Sequence, residues 1–357
     1  MEKIEFAKPY FGQSEYNSVL ASLQRPDLTN SRDVATFESL FESFVGGGKA
    51  VAVSNCAAAL WISMMDMKPG DEVICPALTH VSTVHAIELH GATPVFVDSD
   101  RSGNIDMDKV MAVVTPRTKA LAVVHFLGVP VEFGTRLETL KNKGIRIVED
   151  CALALGAFWR GKHVGLSGDV GCFSFYPCKH ITTGEGGMLL TTSLPEAERA
   201  KKARHFGQNL ATRDVKMLGL NLRMTEMQGA LGCSQIHRIR KILDIRERNY
   251  NILRDRLKDK VEIVDHSNGS YYAFCFFCPI GMSRNTLRRE LVARGIGTSV
   301  YYEIPVPKLK YYRKKYKTGE FLIAEEFSEH SVCLPVGPHI SQEDAHRIAD
   351  TVLGITG

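Results

Sequence analysis

Between Lys49 and Asp150 one pattern repeats five times. The short apolar runs KAVAVS, DEVICP, ATPVFVDSD, KALAVVHFLG and IRIVED each end in a polar turn. Helical stretches separate them: Ala57 to about Met67, Thr79 to His90, Asp106 to Val114 and Phe133 to Lys143. Runs apolar on every position suit strands buried on both faces. Their alternation with amphipathic helices therefore predicts an α/β fold, a mostly parallel sheet covered by helices on both sides. Such sheets bind ligands outside the carboxyl ends of their strands. Ser54, the Pro76–His80 segment, Asp98, His125 and Asp150 all fall at those ends.

The flanks fit around this core. Two helices precede it, Ser14 to Ser22 and Val34 to Phe44, the second with Asp33 as a plausible N-cap. After Asp150, GAFWRGKHVG reads as a hairpin or loop, and DVGCFSF and GGMLLTT as strands. The short spacing between the last two suggests at least one antiparallel strand in the sheet. A helix follows from Pro195 to about His205. A continuous helical pattern from Thr225 to Leu257 suits a spine joining two lobes. Beyond it, VEIV, YYAFCFFCPI, TSVYYEI and SVCLPV read as strands, and Arg284 to Arg294 and Gln342 to Val352 as helices. The expected division is a large domain over residues 1–240 and a smaller α+β domain over residues 241–357.

Several classes of function are disfavoured. A net charge of +4 with no Arg/Lys-rich arm argues against nucleic acid. No apolar run approaches the length of a membrane span, and the opening MEKIEFAKPY lacks a signal h-region. Cys75, Cys151, Cys172, Cys275 and Cys333 sit inside apolar runs, as free thiols do, so a reducing cytoplasm is expected. Cys275 and Cys278 form a C-x-x-C, but with no second pair at ligand spacing they read as part of a core strand, and no metal is expected.

The chemistry points to Asp150 and Lys179. Asp150 closes one apolar run; Lys179 follows another and precedes the turn Gly184-Glu185-Gly186-Gly187. A lysine amine forms Schiff bases with aldehydes, and a buried carboxylate can keep a pyridine nitrogen protonated. Together they can bracket pyridoxal 5'-phosphate (PLP). Ser174, five residues before Lys179, offers a hydroxyl, and Ser54 to Ala58 opens a helix whose free N–H groups suit a phosphate. Each residue alone has a bland reading: an exposed loop lysine, a capping acid, an ordinary helix start.

Five segments give these residues company: IVEDCALALGA, GDVGCFSFYPCKHITTGEGGMLLTT, GLNLRMTEMQGALG, PGDEVICPALTHVST and ATPVFVDSD. They closely resemble the DegT/StrS-type sugar aminotransferases of PLP fold type I. The resemblance runs from about Phe37 to Arg248 and more weakly through GIGTSVYYEIPVP and CLPVGPHIS. It implies a seven-stranded, mostly parallel sheet in the large domain and transfer of an amino group from L-glutamate to a keto-sugar, usually nucleotide-linked. It gives Lys179 the Schiff base and the proton transfers, Asp150 the pyridinium nitrogen, and Ser174, with the amides around Cys56, Ala57 and Ala58, the phosphate. His80 occupies the position of an aromatic ring stacked on the cofactor. Asn221 is expected to reach the cofactor of the neighbouring subunit, which implies a homodimer with shared sites. His125, Glu185 and Tyr301 are further substrate-binding candidates, each with an ordinary packing or surface reading beside it.

The departures are specific. Cys56-Ala57 stands where the family commonly has Gly-Thr, which removes one hydroxyl from the phosphate. Leu153 stands where it commonly has Gln or His, and cannot donate to the cofactor's 3'-oxygen. Ser31-Arg32-Asp33 replaces a usual Gly-Pro. Lys179 is retained, whereas the family's sugar-dehydratase branch has histidine there. Two alternatives stay open: an acceptor that is a keto-cyclitol or non-nucleotide keto-sugar acid, and a binding or regulatory protein that keeps the fold without catalysis.

Overall fold

The computed structural model describes residues 2–209, 211–266, 268–316 and 319–356. Eleven strands form among these residues, in chain order β1 Lys49–Val53, β2 Glu72–Pro76, β3 Thr93–Val97, β4 Thr118–Val124, β5 Arg146–Asp150, β6 Phe158–Trp159, β7 Lys162–His163, β8 Val170–Ser174, β9 Gly187–Thr191, β10 Phe274–Phe277 and β11 Ser331–Leu334. Seven make one sheet in the order β1-β9-β8-β5-β4-β2-β3. Its β2–β3, β2–β4, β4–β5 and β5–β8 pairs are parallel. β9 runs antiparallel to both β8 and β1, as the short link between β8 and β9 requires. The predicted hairpin is the β6–β7 pair.

Helices cover both faces. Cys56–Ser63, Val81–Glu88 and Leu194–Ala203 bury apolar stripes on one cluster with Val51, Val73, Ala122 and Cys172. Arg32–Val45 and Glu226–His237 pack Phe37, Phe41 and Ile236 against Ala52, Phe173 and Met188. Adjacent strand residues such as Cys172 and Phe173 thus enter opposite clusters, as strand alternation demands.

Several expected details differ. The helix Arg32–Val45 begins after Ser31, not Asp33. The Asp33 side chain instead pairs with Arg25, while the Glu226 carboxylate accepts the Ser31, Asp33 and Val34 amides. The pattern from Thr225 to Leu257 is two helices, Glu226–His237 and Ile239–Leu257, jointed at Arg238. Arg238 Nη1 lies 2.9 Å from both oxygens of the buried Glu15 carboxylate on the first helix. Among the described residues of the C-terminal part, only β10 and β11 form a sheet. VEIV and TSVYYEI contribute single bridges, Ile263 to Phe276 and Ser299 to Cys333. This sheet, with Ile239–Leu257, Arg284–Ala293 and Gln342–Thr356, has its own apolar cluster around Phe274, Leu291 and Ile348. Among the described residues no helix is long and apolar enough to cross a membrane.

Candidate active site

The strand ends on one edge of the large sheet surround a cavity of about 350 Å³. Asp150 reaches it from the end of β5 and Ser174 from the end of β8. Asn55, Cys56 and Ala57 come from the turn after β1, Thr79 and His80 from the segment after β2. Lys179 and Glu185 lie on the loop between β8 and β9. Tyr301 and Tyr302 close the cavity from the C-terminal part.

Asp150 is 4% exposed, yet among the described residues no lysine, arginine or histidine lies within ion-pair distance of it. Its Oδ2 accepts a 2.8 Å bond from Thr83 Oγ1 and its Oδ1 a 3.1 Å bond from the Ala152 amide. Cys56 Sγ stands 4.0 Å from Oδ1. Burial, and then the Asp150 charge, hold the Cys56 thiol well above its ordinary pKa, so it is a neutral donor at neutral pH. Lys179 is half-buried, and no ion pair ties it among the described residues. Its Nζ lies over the Tyr272 ring, 5.4 Å from the centroid. The Tyr272 hydroxyl donates to Cys178 Sγ (3.2 Å) and lies 2.9 Å from the Tyr301 hydroxyl. Arg246, buried with its Nη1 2.9 Å from the Tyr272 carbonyl, backs this ring. Burial lowers its pKa to about 10.

The start of the helix Cys56–Ser63 is preset for an anion. Asn55 is its N-cap, and its side chain takes the Ala58 amide at 2.9 Å. First-turn N–H groups lack helical partners, which leaves the Cys56 and Ala57 amides available. Gly187 packs against this turn: a Cβ there would stand 2.4–2.6 Å from the Asn55 carbonyl and the Cys56 amide. His80 is the N-cap of the next helix, its Nδ1 facing the Ser82 amide, and its ring lies 6.0 Å from that of Tyr302.

Of the residues singled out from sequence, Lys179, Asp150, Ser174, His80, Cys56, Ala57, Glu185 and Tyr301 share the cavity, and so does Leu153. His125 does not. It is fully buried behind the sheet, its Nδ1 accepting the Val131 amide and its Nε2 donating to Glu149, both at 3.0 Å. Its reading as a substrate contact is therefore corrected: its ring nitrogens are used up inside the fold. With Glu149 and Cys151 it forms a trio compact enough for a metal. The Glu149 oxygens are, however, already taken by the Gly165, Ser167 and Gly168 amides. Burial raises the Glu149 pKa, but His125 and these amides outweigh it, so the net shift is downward. Asp98 caps the helix Leu322–His330 through the Ile323 and Ala324 amides rather than facing the cavity. Asn221 is exposed and outside the cavity, beside Leu222, whose carbonyl takes the Ser54 amide at 2.8 Å. Sequence reasoning placed the segment holding Thr79 at the ligand edge and offered Tyr302, beside Tyr301, as a substrate contact, but missed Thr83, Cys178 and Tyr272. The i, i+4 spacing of Thr79 and Thr83, two hydroxyls at a helix start after a strand, was the available signal.

PLP fits this cavity. It needs a counter-ion for a ring nitrogen, an amine for an aldehyde and donors for a phosphate. The cavity offers a buried carboxylate and a lysine, neither in an ion pair among the described residues, and an N-capped helix start beside Ser174. Comparison with known proteins agrees. A GDP-perosamine synthase of Escherichia coli O157:H7 is 34% identical, covering 89% of each chain. The solved Helicobacter pylori PseC, an aminotransferase involved in pseudoaminic acid biosynthesis, superposes with a TM-score of 0.94 at 25% identity, covering 99% of each chain. Spr1654 of Streptococcus pneumoniae, solved in its PLP form, superposes with a TM-score of 0.93 at 24% identity, covering 99% of this chain and 98% of that one. The profile of the DegT/DnrJ/EryC1/StrS aminotransferase family matches residues 9–353. A match over nearly the whole length places the protein in that family, as a PLP-dependent aminotransferase.

Proposed function

We propose that the protein transfers an amino group from L-glutamate to a keto-sugar, nucleotide-linked, in the making of an amino sugar. The observation that carries this is the pair of unpaired opposite charges, Asp150 and Lys179, lining one cavity. A carboxylate and a lysine lining one cavity can pair with each other or a neighbour; among the described residues neither does, so each is left for a ligand. The GDP-perosamine synthase and PseC relatives support a sugar acceptor.

When bound, PLP supplies an electron sink for the carbon that gains or loses nitrogen. The protein's part follows from its residues. Asp150 holds the proton on the ring nitrogen, Thr83 and Ala152 fixing its carboxylate. Ser174 and the Cys56 and Ala57 amides hold the phosphate. Lys179 Nζ would hold the cofactor's aldehyde and would move the proton at the reacting carbon. The His80 ring covers one ring face. Leu153 offers no donor, so the cofactor's 3'-oxygen is not held from that position. Glu185 and Tyr301 face the sugar at the rim. Asn221 reaches the neighbouring subunit's cofactor, so the working unit is a homodimer.

Purified protein supplied with PLP is expected to be yellow, with a visible band that bleaches on L-glutamate and returns with a nucleotide-linked keto-sugar. Lys179→Ala is expected to bind PLP without covalent capture by borohydride. A wild-type protein that stays colourless in excess PLP would refute the reading. One that bleaches but recovers only with a free keto-acid sugar or keto-cyclitol would move the acceptor to that class.

A further inference from the structure

Asp150 is steadied by hydroxyls rather than by a cation, and those hydroxyls have a direction. Thr83, fully buried, spends its one proton on Asp150 Oδ2 at 2.8 Å. Its oxygen lies 3.0 Å from the Thr79 hydroxyl, which must then be the donor of that contact. The other acceptor near Thr79, the His80 carbonyl, is farther, at 3.4 Å. A helical threonine usually turns its hydroxyl to a backbone carbonyl one turn back. Thr83 turns it to a carboxylate on another element instead. Oδ1 is left with the Ala152 amide and the long Cys56 contact, short of the lone pairs a carboxylate can use.

We propose that Thr79 and Thr83 form a donor relay that fixes the Asp150 carboxylate for the cofactor's ring nitrogen. Thr83 is the positioning residue and Thr79 sets the direction of its hydroxyl. This rests on the reading of Asp150 as the partner of that nitrogen. The relay does in this chain what a fixed cation would do badly, since a nearby cation would compete with a protonated ring for the same carboxylate.

The test is PLP affinity of the full-length protein, stripped of cofactor and titrated by fluorescence quenching, alongside its melting temperature. Thr83→Val keeps shape and loses the hydroxyl; Thr83→Ser keeps the hydroxyl and loses a methyl. Loss of a hydrogen bond to a charged group predicts that Thr83→Val weakens PLP binding about tenfold and Thr83→Ser less than about threefold. A packing role predicts the reverse order. Thr83→Val binding within about twofold of wild type, or Thr83→Ser as weak as Thr83→Val, would overturn the relay. If Thr83→Val does not fold, Thr79→Val decides: weakening of about threefold supports the relay, and wild-type affinity overturns it. Asp150→Asn separates the two readings. If it binds PLP like wild type, the assignment of Asp150 itself is wrong. If it loses PLP while Thr83→Val does not, only the relay is wrong.

Discussion

Glu149 and Asp150 are adjacent carboxylates on one strand, and Glu149→Gln tests how sharply strand alternation separates them. Glu149 is fully buried on the face away from the cavity. It accepts from His125 Nε2 at 3.0 Å and from the Gly165, Ser167 and Gly168 amides at 2.9, 3.0 and 2.5 Å. Glutamine offers one acceptor oxygen. Its NH₂ would face two N–H donors whichever way the amide is turned. His125 cannot relieve this by changing tautomer, because its Nδ1 must still accept the Val131 amide. Two buried donors are then left unmet, at about 1–3 kcal/mol each, offset in part by removal of a buried charge. The net expected loss is about 1–4 kcal/mol.

Unfolding entropy of about 2.1 cal/mol/K per residue gives roughly 0.75 kcal/mol/K for a chain of 357 residues. Tm is therefore expected to fall by about 1–5 °C, read by calorimetry on the cofactor-free protein. PLP affinity of the folded fraction should change less than about threefold, because Glu149 does not line the cavity. A fall in Tm below about 1 °C would refute the donor count. A large loss of PLP affinity with Tm unchanged would place Glu149 in the site and refute the facing argument.

Two further outcomes are expected. His163 is buried, its Nε2 accepting the Gly156 amide at 2.8 Å, and burial holds its pKa at about 4 against an ordinary 6.5. Between those values the unfolded chain binds a proton that the folded chain refuses, so this stability is whole above pH 6.5 and is lost as pH falls towards 4. Urea titrations at pH 7 and pH 5 should show wild type losing about 2 kcal/mol more than His163→Gln; equal losses would contradict it. Gly187→Ala should push the Asn55–Cys56 turn out of place, since the new Cβ would meet its backbone. Overpacking of this kind costs about 1–3 kcal/mol, so PLP affinity should fall about tenfold in an absorbance titration, and unchanged affinity would show that this turn does not hold the phosphate.

The sheet was legible because its strands are apolar on both faces and its helices are not, a contrast that survives without tertiary information. The C-terminal strands were less so. Ser299 pairs with Cys333, but Tyr301 and Tyr302 turn to the cavity, and TSVYYEI makes a single bridge. The joint at Arg238 was invisible in the local pattern, and the carboxylate Arg238 pairs with there, Glu15, lies 223 residues away. The misreading of His125 has a different origin. Proximity to a strand's carboxyl end says that a residue is near the ligand edge, not which face it takes. Parity says that. Val124 and Cys172 both pair with Asp150 in register, so they share its face, and Ser174, two residues after Cys172, returns to it. His125 and Glu149 fall on the other parity, and they meet each other behind the sheet. Once Asp150 is taken as pointing inward and the strand register is known, counting by twos admits Ser174 and excludes His125. The sequence displays the residues but not the register, so the chemistry could be read from it more securely than the facing.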